Sequence, residues 1–301
     1  MLVVAAPAAA QEPTGSCTAG ATSGTKQTFT CRLGPVVVAP YQVLTRELLF
    51  NPPKPMVDGH ITDMRVDVTN KDGSRVPISR LMLHHIVFLN MGSQLGEKRD
   101  LTCGNSFTGW DSESLLPNAA ERFYAAGEER AKMALPPGYG YKLNAGDTWG
   151  LLYMFMNHRA TTDSAYIQYK YTVNDDPSLH SVKPYWFDVE NCRADPIYNV
   201  PGTKKEGSTN TESADFVMPE SGYVVGAGGH VHGGARELNL TQPDCGNRQI
   251  GESLPTWGNA DHPFYNVRPV LHEPGPIASG WVTSASGLLQ KSIGQAPAPQ
   301  L

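Results

Sequence analysis

Charge and long apolar runs are both scarce in this chain. Only 18% of its 301 residues are charged, 24 basic against 29 acidic, which leaves a formal net charge of −5. Without a basic surplus there is no electrostatic footprint for a nucleic acid or an anionic membrane surface. No stretch approaches the ~18 consecutive apolar residues that read as a membrane-spanning helix. Cysteine is sparse as well. The five are Cys17, Cys31, Cys103, Cys192 and Cys245, and no two of them form a Cys-x-x-Cys pair, which argues against a zinc ribbon or a thioredoxin motif.

Turn formers are plentiful: 30 glycines and 24 prolines punctuate short apolar runs. That pattern predicts an all-β architecture with many turns, and the length suits two domains. Residues 1–11 look like the tail of a secretory signal, since Ala8, Ala9 and Ala10 fit the small-residue cleavage pattern. They predict export to a periplasmic or extracellular, oxidising compartment, where Cys17–Cys31 would close a local loop and Cys192–Cys245 would pin the second half. The Gly/Ser/Thr-rich stretch 12–35 reads as a loose segment held by the first of these. Strands begin near Val36. Residues 59–69 alternate at Met64, Val66 and Val68. Asn70 to Ser74 reads as a hairpin turn built on Asp72-Gly73, with the next strand running into His84-His85. Residues 93–134 read as a polar surface excursion with at most a turn or two of helix. Residues 149–158 and 165–173 are strongly strand-like, and Asn174 to Pro177 marks a boundary.

The chemistry lies in two histidine pairs. Residues 81–92 read Leu-Met-Leu-His-His-Ile-Val-Phe-Leu-Asn-Met-Gly, placing His84 and His85 in a strand-forming run. Residues 223–234 read Tyr-Val-Val-Gly-Ala-Gly-Gly-His-Val-His-Gly-Gly, placing His230 and His232 two apart. A strand sends alternate side chains to one face, so the i, i+2 pair can close on one ion. Adjacent histidines share an ion only where the strand ends or bulges. Imidazole suits copper and zinc, and a thioether favours copper. Neither pair has a Glu or Asp at the spacing of a zinc hydrolase. On a regular strand Met154, Met156 and His158 would share one face, with Met154 read as core filling. His60, His180, His262 and His272 are weaker candidates, His60 and His180 being read as a hydrogen-bonded surface residue and a linker residue.

A His-His pair followed by a His-x-His pair in a chain of short strands resembles the copper type II, ascorbate-dependent monooxygenases, which include peptidylglycine hydroxylating monooxygenase and dopamine beta-monooxygenase. The likeness is nearest to their bacterial members and spans residues 36–289. It is carried further by Leu-Pro-Pro-Gly-Tyr-Gly-Tyr at 135–141, Gly-Asp-Thr-Trp at 146–149 and Val-Arg-Pro-Val-Leu-His-Glu-Pro-Gly-Pro-Ile at 267–277.

The resemblance implies two antiparallel jelly-roll β-sandwich domains in tandem, over residues 36–175 and 176–289, each holding one copper. His84 and His85 would hold the electron-relay copper, completed by Met156, which aligns with the family's third histidine, or by His158 two residues on. His230 and His232 would be the catalytic ligands of the copper that meets dioxygen. The substrate would be a small organic molecule or a peptide, and the reductant ascorbate or a similar donor. The family continues beyond Trp281 through strands that carry a methionine ligand, whereas no methionine follows Met218 here and residues 290–301 read as a disordered tail. The expectation is therefore a second sandwich and second site left incomplete by truncation or a shifted reading frame. A copper-binding protein without turnover, and a β-sandwich scaffold with incidental histidines, are the competing readings.

Overall fold

The computed structural model describes residues 13–94, 97–100, 102, 120–127, 130, 132–189, 210–229, 236–254 and 286–292. Among these there is no α-helix, only a turn of 3-10 helix at Pro243–Cys245. No helix among them is long and apolar enough to cross a membrane.

The chain opens with β1 (Gly15–Ser23) and β2 (Lys26–Val38), which pair antiparallel around Gly24, whose φ of 59° suits a residue without a Cβ. Residues 15–35 are thus a paired hairpin, with one register shift between Ala19 and Thr22, rather than a loose segment. Phe29, Cys31 and Leu33 on β2 are buried, and burial of alternate residues is what fixes the strand. Cys17 and Cys31 face each other in register and form a disulfide, one of the two pairings expected above.

The strands that follow are β3 (Val43–Phe50), β4 (Gly59–Thr69), β5 (Met82–Gly92), β6 (Glu121–Gly127), β7 (Lys132–Ala134), β8 (Tyr139–Leu143), β9 (Thr148–Met156), β10 (Asp163–Asn174), β11 (His180–Asp188), β12 (Tyr223–Gly229), β13 (Leu238–Gln242), β14 (Arg248–Ser253) and β15 (Ser286–Ser292). Among the described residues, nine strands form one sheet in the order β1-β2-β10-β4-β8-β11-β15-β12, with β7 paired to β4. Four form a second sheet, β3-β9-β5-β6, and β13-β14 is a separate hairpin.

The two larger sheets meet through aromatic side chains. Phe88 on β5 meets Tyr169 on β10 at 5.0 Å between ring centroids, edge to face. Phe123 on β6 stacks on Tyr141 of β8 at 4.9 Å. Trp149 on β9 lies against Phe123 and Tyr171. Such rings bury about 150–250 Å² each, so at ~25 cal/mol per Å² each contributes several kcal/mol to holding the sheets together.

The turn at Asn70 to Ser74 forms as read, with the Asn70 amide donating to the Ser74 carbonyl and Gly73 at φ 88°. It does not join two strands of one sheet, however. After a single bridge between Thr69 and Arg75 the chain crosses over, and β5 lies in the other sheet. The larger correction concerns residues 121–127, read above as surface excursion. They form β6, buried along its whole length and paired to β5. Its leading polar residues are accommodated by partners. Arg122 is 2.7 Å from Asp100, and Tyr141 donates its hydroxyl to Glu121 at 2.8 Å.

Beyond Asn174 the sheet continues. β11 pairs in parallel with β8 over His180 to Val182, and β15 then lies between β11 and β12. Residues 290–292, assigned above to a disordered tail, belong to β15.

Candidate metal centre

The geometry at His84-His85 follows from one extra residue in β5. Along the antiparallel ladder with β9, Leu83 stands opposite Phe155, but His85 stands opposite Met154, so two steps on β5 match one step on β9. His84 is the additional residue. A bulge of this kind sets two consecutive residues against one on the neighbouring strand and interrupts the alternation of faces. Leu83 and Phe155 keep their inward positions in the core, both nearly fully buried. The histidine rings instead converge: His84 Nδ1 lies 3.1 Å from His85 Nδ1, with ring centroids 5.2 Å apart and planes at 72°. Each histidine is only 8% exposed.

Two ring nitrogens that share one ion at about 2.0–2.1 Å stand about 2.8–3.4 Å apart for angles between square and tetrahedral. The observed 3.1 Å lies in that window, so the donor pair fits a transition-metal ion of copper or zinc type. The same separation allows one ring to donate its proton to the other when neither holds a metal. Metal binding requires both Nδ1 atoms bare, with the ring protons on Nε2.

The candidates for completing the site lie on and just beyond β9. Met154 and Met156 are on one face, both partly exposed, alternating with the buried Tyr153, Phe155 and Asn157. Met156 stands opposite Met82, one same-face step past Met154. His158 lies beyond the end of the strand and is solvent-exposed, so it does not continue the face shared by the two methionines. Its pKa is held below the ordinary histidine value, first by partial desolvation of the ring and then by the charge of His84, which places the two rings within electrostatic reach. Among the described residues no three His, Cys, Asp or Glu side chains gather closely enough to hold an ion.

The other histidine pair, His230 and His232, lies outside the described residues, as do Trp110, Cys103, Cys192, His262 and His272. What leads into it is described. β12 ends at Gly229, one residue before His230, and the Gly229 amide donates to Ser253 Oγ at 2.8 Å. A Cβ at Gly229 would come within 2.1 Å of Leu238 Cδ2, so a larger residue there would have to displace the Leu238 side chain.

Two histidines read as peripheral have structural places. His60 is hydrogen-bonded as expected but buried, 7% exposed, with Nε2 3.0 Å from Ser181 Oγ on β11. Its pKa is lowered, mainly by burial and then by Lys142. His180 opens β11, where its amide donates to the Gly138 carbonyl and its ring lies against Tyr139. Met154, read above as core filling, is partly exposed and stands opposite His85. Its spacing on the strand was legible, but its position opposite the histidines follows from the bulge register alone.

Comparison with known proteins adds chemistry that the geometry does not supply. No family model matches the chain, and no solved structure matches it. It is 25% identical over 215 residues to a protein named "Probable copper-dependent oxygenase clz3" from Cochliobolus lunatus, covering 66% of this chain and 60% of that one. It is 26% identical over 187 residues to "Probable copper-dependent oxygenase M1" from Phoma sp., covering 58% of this chain and 42% of that one. The chain thus spans between two fifths and three fifths of these relatives' lengths, and its distant likeness is to proteins named for copper and oxygen chemistry.

Proposed function

We propose that this protein is a copper-dependent monooxygenase, exported from the cell, that hydroxylates a C–H bond of a small organic or peptide substrate with dioxygen and a reductant such as ascorbate. The observation that carries this reading is the β5 bulge, which turns two adjacent histidines from opposite faces to a ring-nitrogen separation of 3.1 Å. The names of the distant relatives support the choice of copper over zinc. Bound copper supplies one-electron chemistry toward oxygen, which no protein side chain here provides unaided.

In this reading His84 and His85 hold the copper that accepts electrons, with the third donor drawn from the β9 side. His230 and His232 hold the copper at which oxygen reacts. The residues around the first pair orient and shield it. Each ring is nearly buried on a strand fixed between β9 and β6, so the pair is positioned by the sheet rather than by a mobile loop.

The test is metal content and oxygen consumption measured together. Purified protein loaded with copper is expected to retain two ions per chain after dialysis and to consume oxygen in the presence of ascorbate. His84→Ala and His230→Ala should each remove about one ion and abolish consumption. Wild-type protein that retains no copper would overturn the proposal.

A further inference from the structure

We propose that the third protein donor of the His84-His85 centre is the thioether of Met154, making it a site that holds copper as Cu(I). The inference rests on the copper reading of the histidine pair given above and goes beyond it by naming a donor that strand periodicity consigned to packing.

The register carries it. On an antiparallel ladder the residue directly opposite lies on the same face, with Cβ atoms about 4.5–5.5 Å apart. His85 stands between two neighbours: Met154 on β9 and Gly127 on β6. Gly127 has no side chain, so among the described residues Met154 is the ladder partner of His85 that presents a side chain to it. Because His84 is the additional residue of the bulge, both histidines are set against that same position.

The alternatives lie further along β9. Met156 is opposite Met82 and is displaced from Met154 by two residues, about 6.4–6.8 Å of strand. His158 is two residues further again and has left the strand. Met154 is partly exposed while Tyr153 and Phe155 beside it are buried, which places its side chain on the outer face and not in the core between the sheets. A soft thioether beside two imidazoles selects the cuprous ion.

The experiment uses the full chain carrying His230→Ala and His232→Ala, so that a single centre reports. Cu(I) affinity is measured by competition with a chromogenic cuprous chelator, and the bound ion's neighbours by X-ray absorption. The parent should show a sulfur neighbour at about 2.3 Å. Met154→Leu, which conserves volume and is checked by circular dichroism for an unchanged fold, should remove that neighbour. It should also weaken Cu(I) binding by about tenfold or more. Met156→Leu and His158→Ala should leave the sulfur neighbour in place and Cu(I) affinity within about twofold, well inside the tenfold loss expected of a ligand. If Met154→Leu binds Cu(I) as the parent does while His84→Ala abolishes binding, the Met154 assignment falls and the histidine centre stands. If His84→Ala also leaves copper in place, the histidine centre itself falls.

Discussion

Glu121 shows how a single buried group sets pH behaviour. Its carboxyl is 6% exposed, and desolvation raises its pKa more than Lys98 and the Tyr141 hydroxyl lower it. The native state therefore keeps the Glu121 proton to higher pH than the unfolded chain does. That preference supports the fold below the unfolded carboxyl's pKa and is lost as pH rises through the raised folded value. Glu121→Gln cannot titrate and retains an acceptor for Tyr141. Its melting temperature relative to wild type is expected to climb as pH is raised from about 4 to about 7. A difference that stays flat over that range would show that Glu121 carries the same proton affinity folded and unfolded. At the same scale, His84, His85 and Met154 were all visible in the sequence. The histidines announced possible metal chemistry while Met154 read as core filling, and only the pairing of β5 with β9 placed Met154 opposite His85.

The β1-β2 hairpin is the element most dependent on a covalent link. β1 is an edge strand exposed along nearly all its length and contributes little apolar burial. Its Cys17–Cys31 disulfide spans a sequence separation of 14, and closing a loop of that size contributes about 3 kcal/mol through the unfolded state. Replacing both cysteines by alanine should lower the stability measured in urea by about 2–4 kcal/mol. β6 teaches the opposite lesson about legibility. Its sequence, Glu-Arg-Phe-Tyr-Ala-Ala-Gly, opens with two charges and carries three small residues, so neither β-propensity nor alternation marks it. It is a strand because β5 offers a free edge and because the core needs Phe123 and Tyr124. β4 and β10 follow their apolar alternation and were readable from it, while β8 and β9 were readable from their aromatic and apolar runs between turn residues.

At the scale of the molecule, the seam between β6 and β11 joins the two large sheets where the chain passes from its first half to its second. Arg122 and Asp100 are each 4% exposed and 2.7 Å apart, and the Arg122 guanidinium lies over the Trp186 ring at 4.8 Å. Thr102 adds a hydrogen bond to the Trp186 carbonyl at 2.6 Å. A buried ion pair adds little net stability when complete, but losing one member strands the other charge in a medium that solvates it poorly. Arg122→Leu should therefore cost about 3–5 kcal/mol in denaturant unfolding. A cost below about 1 kcal/mol, the level of an exposed pair, would show that water reaches Asp100 at this seam.

The sequence by itself determined the all-β class, the turn at Asp72-Gly73 and the two histidine clusters as the places to look for chemistry. Each follows from local rules: alternation, turn dihedrals and the ligand preferences of imidazole. Tertiary structure decided that β5 carries an extra residue at His84, that Met154 stands across from His85, that residues 121–127 form a buried edge strand and that residues 290–292 join a sheet. Those outcomes depend on strand register and on which edges need a partner. Both are properties of chain segments far apart in sequence, and no window read along one strand contains them.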